Sequence, residues 1–305
     1  MQYEVWQSRA SNCETNCMAL LRIRDARYFQ IFFQSIFLLY GIYFLQWNTE
    51  HWLYLVFFST AIFSQILIEA LIQWRKGNKL DHVWWHHVQR GIPSATISAF
   101  GLSLFLKTNE PLIAVLAALA GICSKYILRF RGKHIFNPSA LGIVLAVWVS
   151  GHAWVNPGQW GSGMMQLFGG LILGYIVVTR VQKLDISLAF LLTFIGLLFI
   201  RQVSYLGWPL DFFIQSVSTG TVLVFSFFMI SDPKATPDHP VARVIWGMLV
   251  AILAFYFVSF RYVNGAPVLA LVILQPLVPL LDLLFRARRF DWNPSGNISP
   301  SHIIV

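Results

Sequence analysis

Long apolar segments are the feature that most constrains the fold of this chain. Charged residues make up 11% of its 305 residues, and its mean hydropathy is +0.63. Soluble domains carry roughly 25% charged residues, whereas about 20 consecutive apolar residues cross the hydrocarbon core of a bilayer. These values predict an all-α integral membrane protein with about ten transmembrane helices. The predicted spans, some of them short, lie near residues 28–47, 52–73, 92–106, 111–128, 138–151, 164–179, 186–201, 211–231, 243–260 and 266–285.

The positions of the basic residues test this count of helices. With a cytoplasmic N-terminus, every Lys and Arg except Lys107, Arg201 and Arg261 falls in a cytoplasmic segment, as the positive-inside rule requires. Both termini are therefore predicted to be cytoplasmic. The predicted parts are an N-terminal tail, a transmembrane domain and a C-terminal tail, over residues 1–27, 28–285 and 286–305. Because topology explains the net charge of +9, we predict no nucleic-acid partner.

A basic turn separates the fourth predicted span from the fifth. Residues 124–142 read SKYILRFRGKHIFNPSALG, with Lys133 and His134 shortly before Asn137. A proline disfavours helical backbone in the residue before it and fits the first turn of a helix, so a new helix is predicted to begin near Pro138. Its unpaired N–H groups, set among cations, favour a site for an anion or a polar headgroup. The alternative is an ordinary positive-inside loop before a proline-capped helix.

A second polar stretch occupies residues 216–240. Ser218, Thr219 and Thr221 form a small polar patch inside an apolar span, where such residues allow helices to approach closely and to hydrogen-bond. The helix is predicted to end at Asp232, which must be hydrated, paired or functional at the membrane edge. Arg243 or a basic residue of the 124–142 stretch is the candidate partner.

The fifth and tenth spans open alike. The fifth begins IFNPSALGIVLAV and the tenth YVNGAPVLALVIL, each with Asn shortly before Pro. The first lies on the predicted inside and the second on the predicted outside. An odd number of helices in each half would produce this inversion, so we predict an inverted 5+5 repeat with helix breaks.

The segment 74–91 is predicted to be the longest loop and holds three histidines. His82 and His86 would share one face of a helix, as a metal pair could, although no thiolate lies beside them. Trp84 and Trp85 favour the alternative, an amphipathic segment at headgroup depth. No metal site is predicted.

Three motifs carry a resemblance to a known family. GKHIFNPSALG, FFMISDPKATP and NGAPVLALVILQPLVPLLD resemble, in order and spacing over residues 25–290, the RnfD/NqrB family. These are membrane subunits of the Rnf and sodium-pumping NADH:quinone oxidoreductase complexes. The RDARYFQIFF opening and the NPGQWG loop are most similar to the short UnbU-like members associated with enediyne biosynthesis. The resemblance implies ten helices in inverted five-helix repeats, an architecture like that of urea transporters, in a bacterial inner (plasma) membrane.

The family's chemistry is based on flavin. Its large members hold FMN through a phosphoester to a threonine in a Ser-Gly-Ala-Thr motif after the FNP helix. Here Ser150-Gly151-His152-Ala153 stands at that place, and no threonine occurs between Thr108 and Thr179. Covalent FMN is therefore not expected, with Ser150 or Ser162 as the unusual substitute acceptor. Non-covalent FMN or riboflavin is the cofactor that the resemblance implies.

Two functions are compatible with these observations. The first is a flavin- or quinone-associated membrane subunit for electron or ion transport, which requires other membrane redox subunits. The alternative is a transporter or channel for a small metabolite, flavin-like or biosynthetic, without redox activity. In either case the predicted binding residues are the following: Lys133, His134, Asn137 and Asp232, with Ser218, Thr219 and Thr221 deeper in the membrane.

Overall fold

Helices dominate the described part of the chain. The computed structural model describes residues 26–45, 47, 51–77, 82–155, 184–217, 220–287 and 289. Its α-helices are α1 Ala26–Tyr43, α2 Trp52–Arg75, α3 His82–Phe105, α4 Pro111–Ile127, α5 Pro138–Leu145, α6 Leu184–Phe199, α7 Leu210–Val217, α8 Gly220–Val224, α9 Pro240–Phe260, α10 Ala266–Leu274 and α11 Val278–Leu284. Three helices continue into π-helical turns, at Ala146–Ser150, Ile200–Tyr205 and Phe225–Met229, and a 3₁₀ turn over Gln275–Leu277 joins α10 to α11.

The lengths and composition of these helices fit a multi-pass membrane protein. Four continuous helical segments are long and apolar enough to cross a bilayer: Trp52–Arg75, Leu184–Tyr205, Pro240–Phe260 and Ala266–Leu284. The bent pair Leu210–Val217 and Thr221–Met229, with 46° between its halves, makes a fifth if it is one span. The all-α membrane class is thus confirmed. The count of ten stays a prediction, and its 164–179 span lies outside the described residues.

Prolines set several helix starts, as the sequence predicts. Pro111, Pro138 and Pro240 each stand in the first turn of a helix, where the missing N–H costs no hydrogen bond. Pro93 differs, because it lies inside α3. Interior prolines are tolerated in transmembrane helices when neighbouring groups satisfy the freed backbone.

The prediction of a long loop over residues 74–91 is wrong. α3 already begins at His82 and runs unbroken for 24 residues, so the tryptophan pair belongs to a helix. The indole rings of Trp84 and Trp85 lie 6.0 Å apart, and the His86 side chain is exposed. Within the described residues, no three His, Cys, Asp or Glu side chains are grouped closely enough to hold a metal ion.

The basic turn is a tight β-hairpin. Strands β2 Arg129–Phe130 and β3 Lys133–His134 pair antiparallel. The two turn residues Arg131 and Gly132 have φ angles of 49° and 81°. Positive φ at both central residues is the signature of a type I′ turn. On another part of the molecule, β1 Leu106–Thr108 pairs antiparallel with β4 Ala153–Val155.

Helices α4 and α5 cross in direct backbone contact. A Cβ built on Gly121 would lie 2.5 Å from the carbonyl oxygen of Pro138, and one on Gly142 would lie 2.5 Å from that of Ala117. Both distances are shorter than a real Cβ contact. Small residues allow this approach in membrane helix pairs. The crossing holds the N-terminus of α5 beside the hairpin.

Candidate functional site

A polar cavity lies where the N-terminus of α5 meets the turn that follows the Phe225–Met229 segment. Asn137 is the N-cap of α5, and its Oδ1 accepts hydrogen bonds from the Ala140 N–H at 3.1 Å and from the Ser139 hydroxyl at 2.8 Å. Its Nδ2 donates to Asp232 Oδ2 at 3.1 Å and to the Met229 carbonyl at 3.3 Å. Asn137 is buried, so one side chain joins two segments that are 95 residues apart.

Asp232 supplies the negative charge of this cavity. Its Oδ1 accepts from the Lys234 N–H at 3.0 Å, which folds the turn back on itself. Its backbone carbonyl accepts from the Thr236 hydroxyl at 3.0 Å. The structure therefore places Asp232 beside Asn137, a pairing that no local pattern in the sequence predicts.

Lys125 supplies a buried positive charge in the same cavity. It belongs to the last turn of α4, and its ammonium group donates to the Ser94 carbonyl at 2.9 Å and to the Ser94 hydroxyl at 3.2 Å. Its ammonium group also interacts electrostatically with Asp232. A basic residue of the 124–142 stretch is thus a partner of Asp232. The other candidate, Arg243, pairs with Asp185 at 2.6 Å.

His134 forms part of the cavity wall, at the end of the hairpin. Within the described part of the chain its Nδ1 is buried and has no hydrogen-bond partner. Burial lowers the pKa of His134 to about 3, and the positive charges of Lys125, Arg129 and Lys234 act in the same direction. The imidazole is therefore neutral at physiological pH, and it presents an unused polar atom beside the cavity.

The depressed pKa of His134 predicts a loss of stability in mild acid. The folded state resists protonation, while the unfolded chain takes up a proton near pH 6.5. Unfolding therefore becomes more favourable as the pH falls from 6.5 toward 3. From pH 7 to pH 5 this residue should lower the free energy of unfolding by about 2 kcal/mol.

Thermal melting in detergent at several pH values measures this effect. His134→Gln has no titrating ring, so its melting temperature should fall less between pH 7 and pH 5 than that of the wild type. Melting curves that change in parallel for the two proteins would contradict the prediction.

The rest of the cavity wall comes from helices that the site prediction did not include. Gln30 and Gln34 on α1, and Ser94 and Ser98 on α3, line the cavity. The space is about 630 Å³, counting the part open to solvent at the mouth. Each pair is spaced four residues apart, so each occupies one face of its helix. Polar residues in that pattern within an apolar segment are a signal that could have identified them.

The other predicted site residues lie elsewhere. Lys133 faces away from this cavity and pairs with Asp238 at 3.1 Å and Asp282 at 2.7 Å. Thr221 is buried near the start of α8, and it does not line the described cavity. Ser218 and Thr219 lie outside the described residues. A binding role for all of these stays a prediction.

Comparison with known proteins supports one family. The family model described as "NQR2, RnfD, RnfE family" matches residues 148–291. The chain is an RnfD/NqrB-like family member. Over 162 residues it is 26% identical to an RnfD-type component of the ion-translocating oxidoreductase complex of Cronobacter sakazakii. That match covers 52% of this chain and 43% of the relative, so the chain matches less than half the length of this curated protein. Its assignment to the UnbU-like members stays a prediction.

The matched region includes the place of the family's flavin-bearing motif. Ser150 ends the π-helical turn after α5, and its hydroxyl donates to the Ala146 carbonyl. The same oxygen accepts from the His152 N–H at 3.2 Å. Ser150 therefore serves as a local cap of the helix end in this structure. Ser162 lies outside the described residues.

Proposed function

We propose that this protein is a membrane subunit of an ion-translocating oxidoreductase that holds a flavin non-covalently in the Asn137–Asp232 cavity. The observation that carries the proposal is the buried polar cavity at the N-terminus of α5, in a chain whose residues 148–291 match the RnfD/NqrB family. Like that family, it would work with other membrane redox subunits, in a bacterial inner membrane with both termini cytoplasmic.

The donors and acceptors of the cavity fit a flavin. Within the described residues, Gln34 Oε1 and His134 Nδ1 are buried without hydrogen-bond partners, and both residues line the cavity. A flavin has an imide N–H and ribityl hydroxyls that can donate to an amide oxygen. A quinone ring offers carbonyl acceptors alone, so the unpaired Gln34 oxygen favours the flavin. The volume of about 630 Å³ lies within the range of roughly 300–1,000 Å³ for small-molecule pockets.

The residues of the cavity would divide the work of binding. Gln34 and His134 would hydrogen-bond the ligand, and the Lys125 ammonium would favour electron-rich groups at the buried end. Asn137 and Asp232 would hold the cavity wall in place through their hydrogen bond. A bound flavin would supply transfer of one or two electrons. The lipid-facing helices would keep water from the site.

The packing of the helices supports the inverted 5+5 repeat, which belongs to this proposal. α2 packs along α4, and α4 packs along α5. In the second half α6 packs along α9, and α9 along α10. These are equivalent pairs if the second half repeats the first, with the 164–179 span as its first helix. The paired openings of α5 and α10 would then lie at the interface between the halves, where transporter-like folds place their sites.

An absorption spectrum of the detergent-purified protein tests the proposed function. We expect a flavin band, and acid precipitation should release it into the supernatant because the attachment is non-covalent. Gln34→Leu should reduce the flavin content at least several-fold, since it removes the unpaired acceptor. Gln89→Leu, at an exposed position in the first turns of α3, is the matched control and should keep the wild-type content.

Three results would contradict parts of this proposal. A flavin band that stays with the precipitate would show covalent attachment, with a serine as the acceptor. Equal flavin content in Gln34→Leu and the wild type would place the flavin in another site. A folded protein without flavin would reject the redox function and favour metabolite transport.

A further inference from the structure

A second cleft lies between the β-hairpin and the C-terminal end of α11. Its walls include Arg131, Lys133, Asp238, Asp282, Arg286 and Arg289. It measures about 970 Å³, counting the space open to solvent. We call it the basic cleft. It shares His134 with the cavity described above, but its charged residues are different.

The carboxylates of the basic cleft are already engaged. The Lys133 ammonium lies 3.1 Å from Asp238 Oδ2 and 2.7 Å from Asp282 Oδ2, and these side chains are mostly buried. Asp282 Oδ1 also accepts from the Asp238 backbone N–H at 2.9 Å. One lysine therefore neutralises one of two carboxylate charges, and the pair is held in place by hydrogen bonds.

The guanidinium groups of the cleft outnumber the remaining negative charge. Arg289 donates to the Arg131 carbonyl at 2.6 Å, which fastens the segment after α11 to the hairpin turn. Arg131 and Arg286 are exposed, and within the described residues neither has an ion-pair partner. Three guanidinium charges thus face one uncompensated carboxylate charge, which leaves the cleft net positive.

An apolar strip continues from this basic rim onto the membrane-facing side of α11. Phe130, Val278, Pro279, Leu283 and Phe285 line the cleft. Leu280 and Leu284, on the same short helix, are 52% and 68% exposed. A free anion would use the guanidinium groups alone. A lipid would also place its glycerol and acyl carbons along these apolar side chains.

We propose that the basic cleft binds the phosphate headgroup of an anionic phospholipid, with its acyl chains along α11. Arginine binds phosphate through paired N–H donors in a fixed fork, and basic pockets between membrane helices accept anionic headgroups. Arg131 and Arg286 are the two groups available for this contact. The proposal does not depend on the flavin function, because it uses a different set of charged residues.

Native mass spectrometry of the full-length protein in detergent tests this proposal. The probe is an equimolar mixture of phosphatidylglycerol and phosphatidylcholine with identical acyl chains. The wild type should retain phosphatidylglycerol in preference to phosphatidylcholine. Each arginine removed should reduce that preference about fivefold, since one basic residue near an anionic lipid contributes about 1 kcal/mol. Arg286→Ala alone leaves the hairpin turn intact, and Arg131→Ala/Arg286→Ala should lose most of the preference.

Arg75→Ala/Lys76→Ala is the matched control. It removes two exposed cations at the end of α2, outside the cleft, and should leave the preference unchanged. Equal retention of the two lipids by the wild type, or an equal loss in the control, would overturn the proposal.

Inorganic phosphate, compared with chloride at equal ionic strength, distinguishes the two sources of phosphate. Displacement of phosphatidylglycerol by phosphate would support a shared phosphate subsite. Binding of phosphate by a wild type that shows no lipid preference would assign the cleft to a free anion and overturn the lipid assignment.

Discussion

Gly142→Ala should destabilise the protein strongly, because α5 touches the backbone of α4 at that position. The new methyl group would lie 2.5 Å from the Ala117 carbonyl oxygen and 3.3 Å from the Leu102 side chain. Neither helix can yield without moving the N-terminus of α5 and the cavity beside it. Overpacking of a tight contact costs about 1–3 kcal/mol. We expect a clear drop in melting temperature in detergent, and a loss of bound flavin if the cavity moves with the helix.

Gly196→Ala is the matched control for this prediction. It is also a glycine within a helix, in α6, and a Cβ there would have no neighbour within 4 Å. Alanine favours a helix over glycine by roughly 0.5–1 kcal/mol, so this variant should melt at the same temperature as the wild type or slightly higher. Equal melting of Gly142→Ala and Gly196→Ala would show that the α4–α5 contact is looser than the structure indicates.

Asp232→Leu should abolish flavin binding and lower the melting temperature while leaving membrane insertion intact. The change leaves Asn137 Nδ2 without the carboxylate that it contacts at 3.1 Å. It also leaves the buried Lys125 ammonium without the acidic group with which it interacts. Leaving a buried polar group unsatisfied costs about 1–3 kcal/mol. Flavin content, membrane fraction and melting curve are the three measurements.

Two further variants separate charge from shape in this prediction. Asp232→Asn keeps an oxygen that can accept from Asn137 but removes the charge, so its effect should be smaller on melting than on flavin binding. Asp211→Leu removes an exposed carboxylate in the first turn of α7 and should behave like the wild type. Wild-type binding and melting in Asp232→Leu would reject Asp232 as part of the site.

Asn137→Leu should also abolish binding, but it tests two roles at once. Its Oδ1 caps α5 through the Ala140 N–H, and loss of an N-cap costs about 0.5–2 kcal/mol. Asn137→Asp keeps the capping oxygen and removes the donor to Asp232. Comparison of the two variants therefore separates the folding of α5 from the binding of a ligand.

Local patterns explain how far sequence reasoning reached. The helix start at Pro138 and the hairpin before it depend on φ preferences of a few adjacent residues, so they can be predicted without tertiary information. The loop predicted over residues 74–91 was wrong because Pro93, beside Gly91, suggested a boundary. The structure continues α3 through that proline, where packing against neighbouring helices overrides the local preference.

By itself, the sequence determined the membrane class, most helix positions and the family, because hydropathy, prolines and motifs are properties of short segments. It also identified Asn137 and Asp232 as candidates, since polar residues at helix breaks in membranes require a partner. Only the tertiary structure decided that these two residues contact each other across 95 positions. It alone turned Lys133 toward Asp238 and Asp282 and His134 toward the cavity. Adjacent residues of a strand point to opposite faces, and which face meets which helix depends on how the whole chain packs.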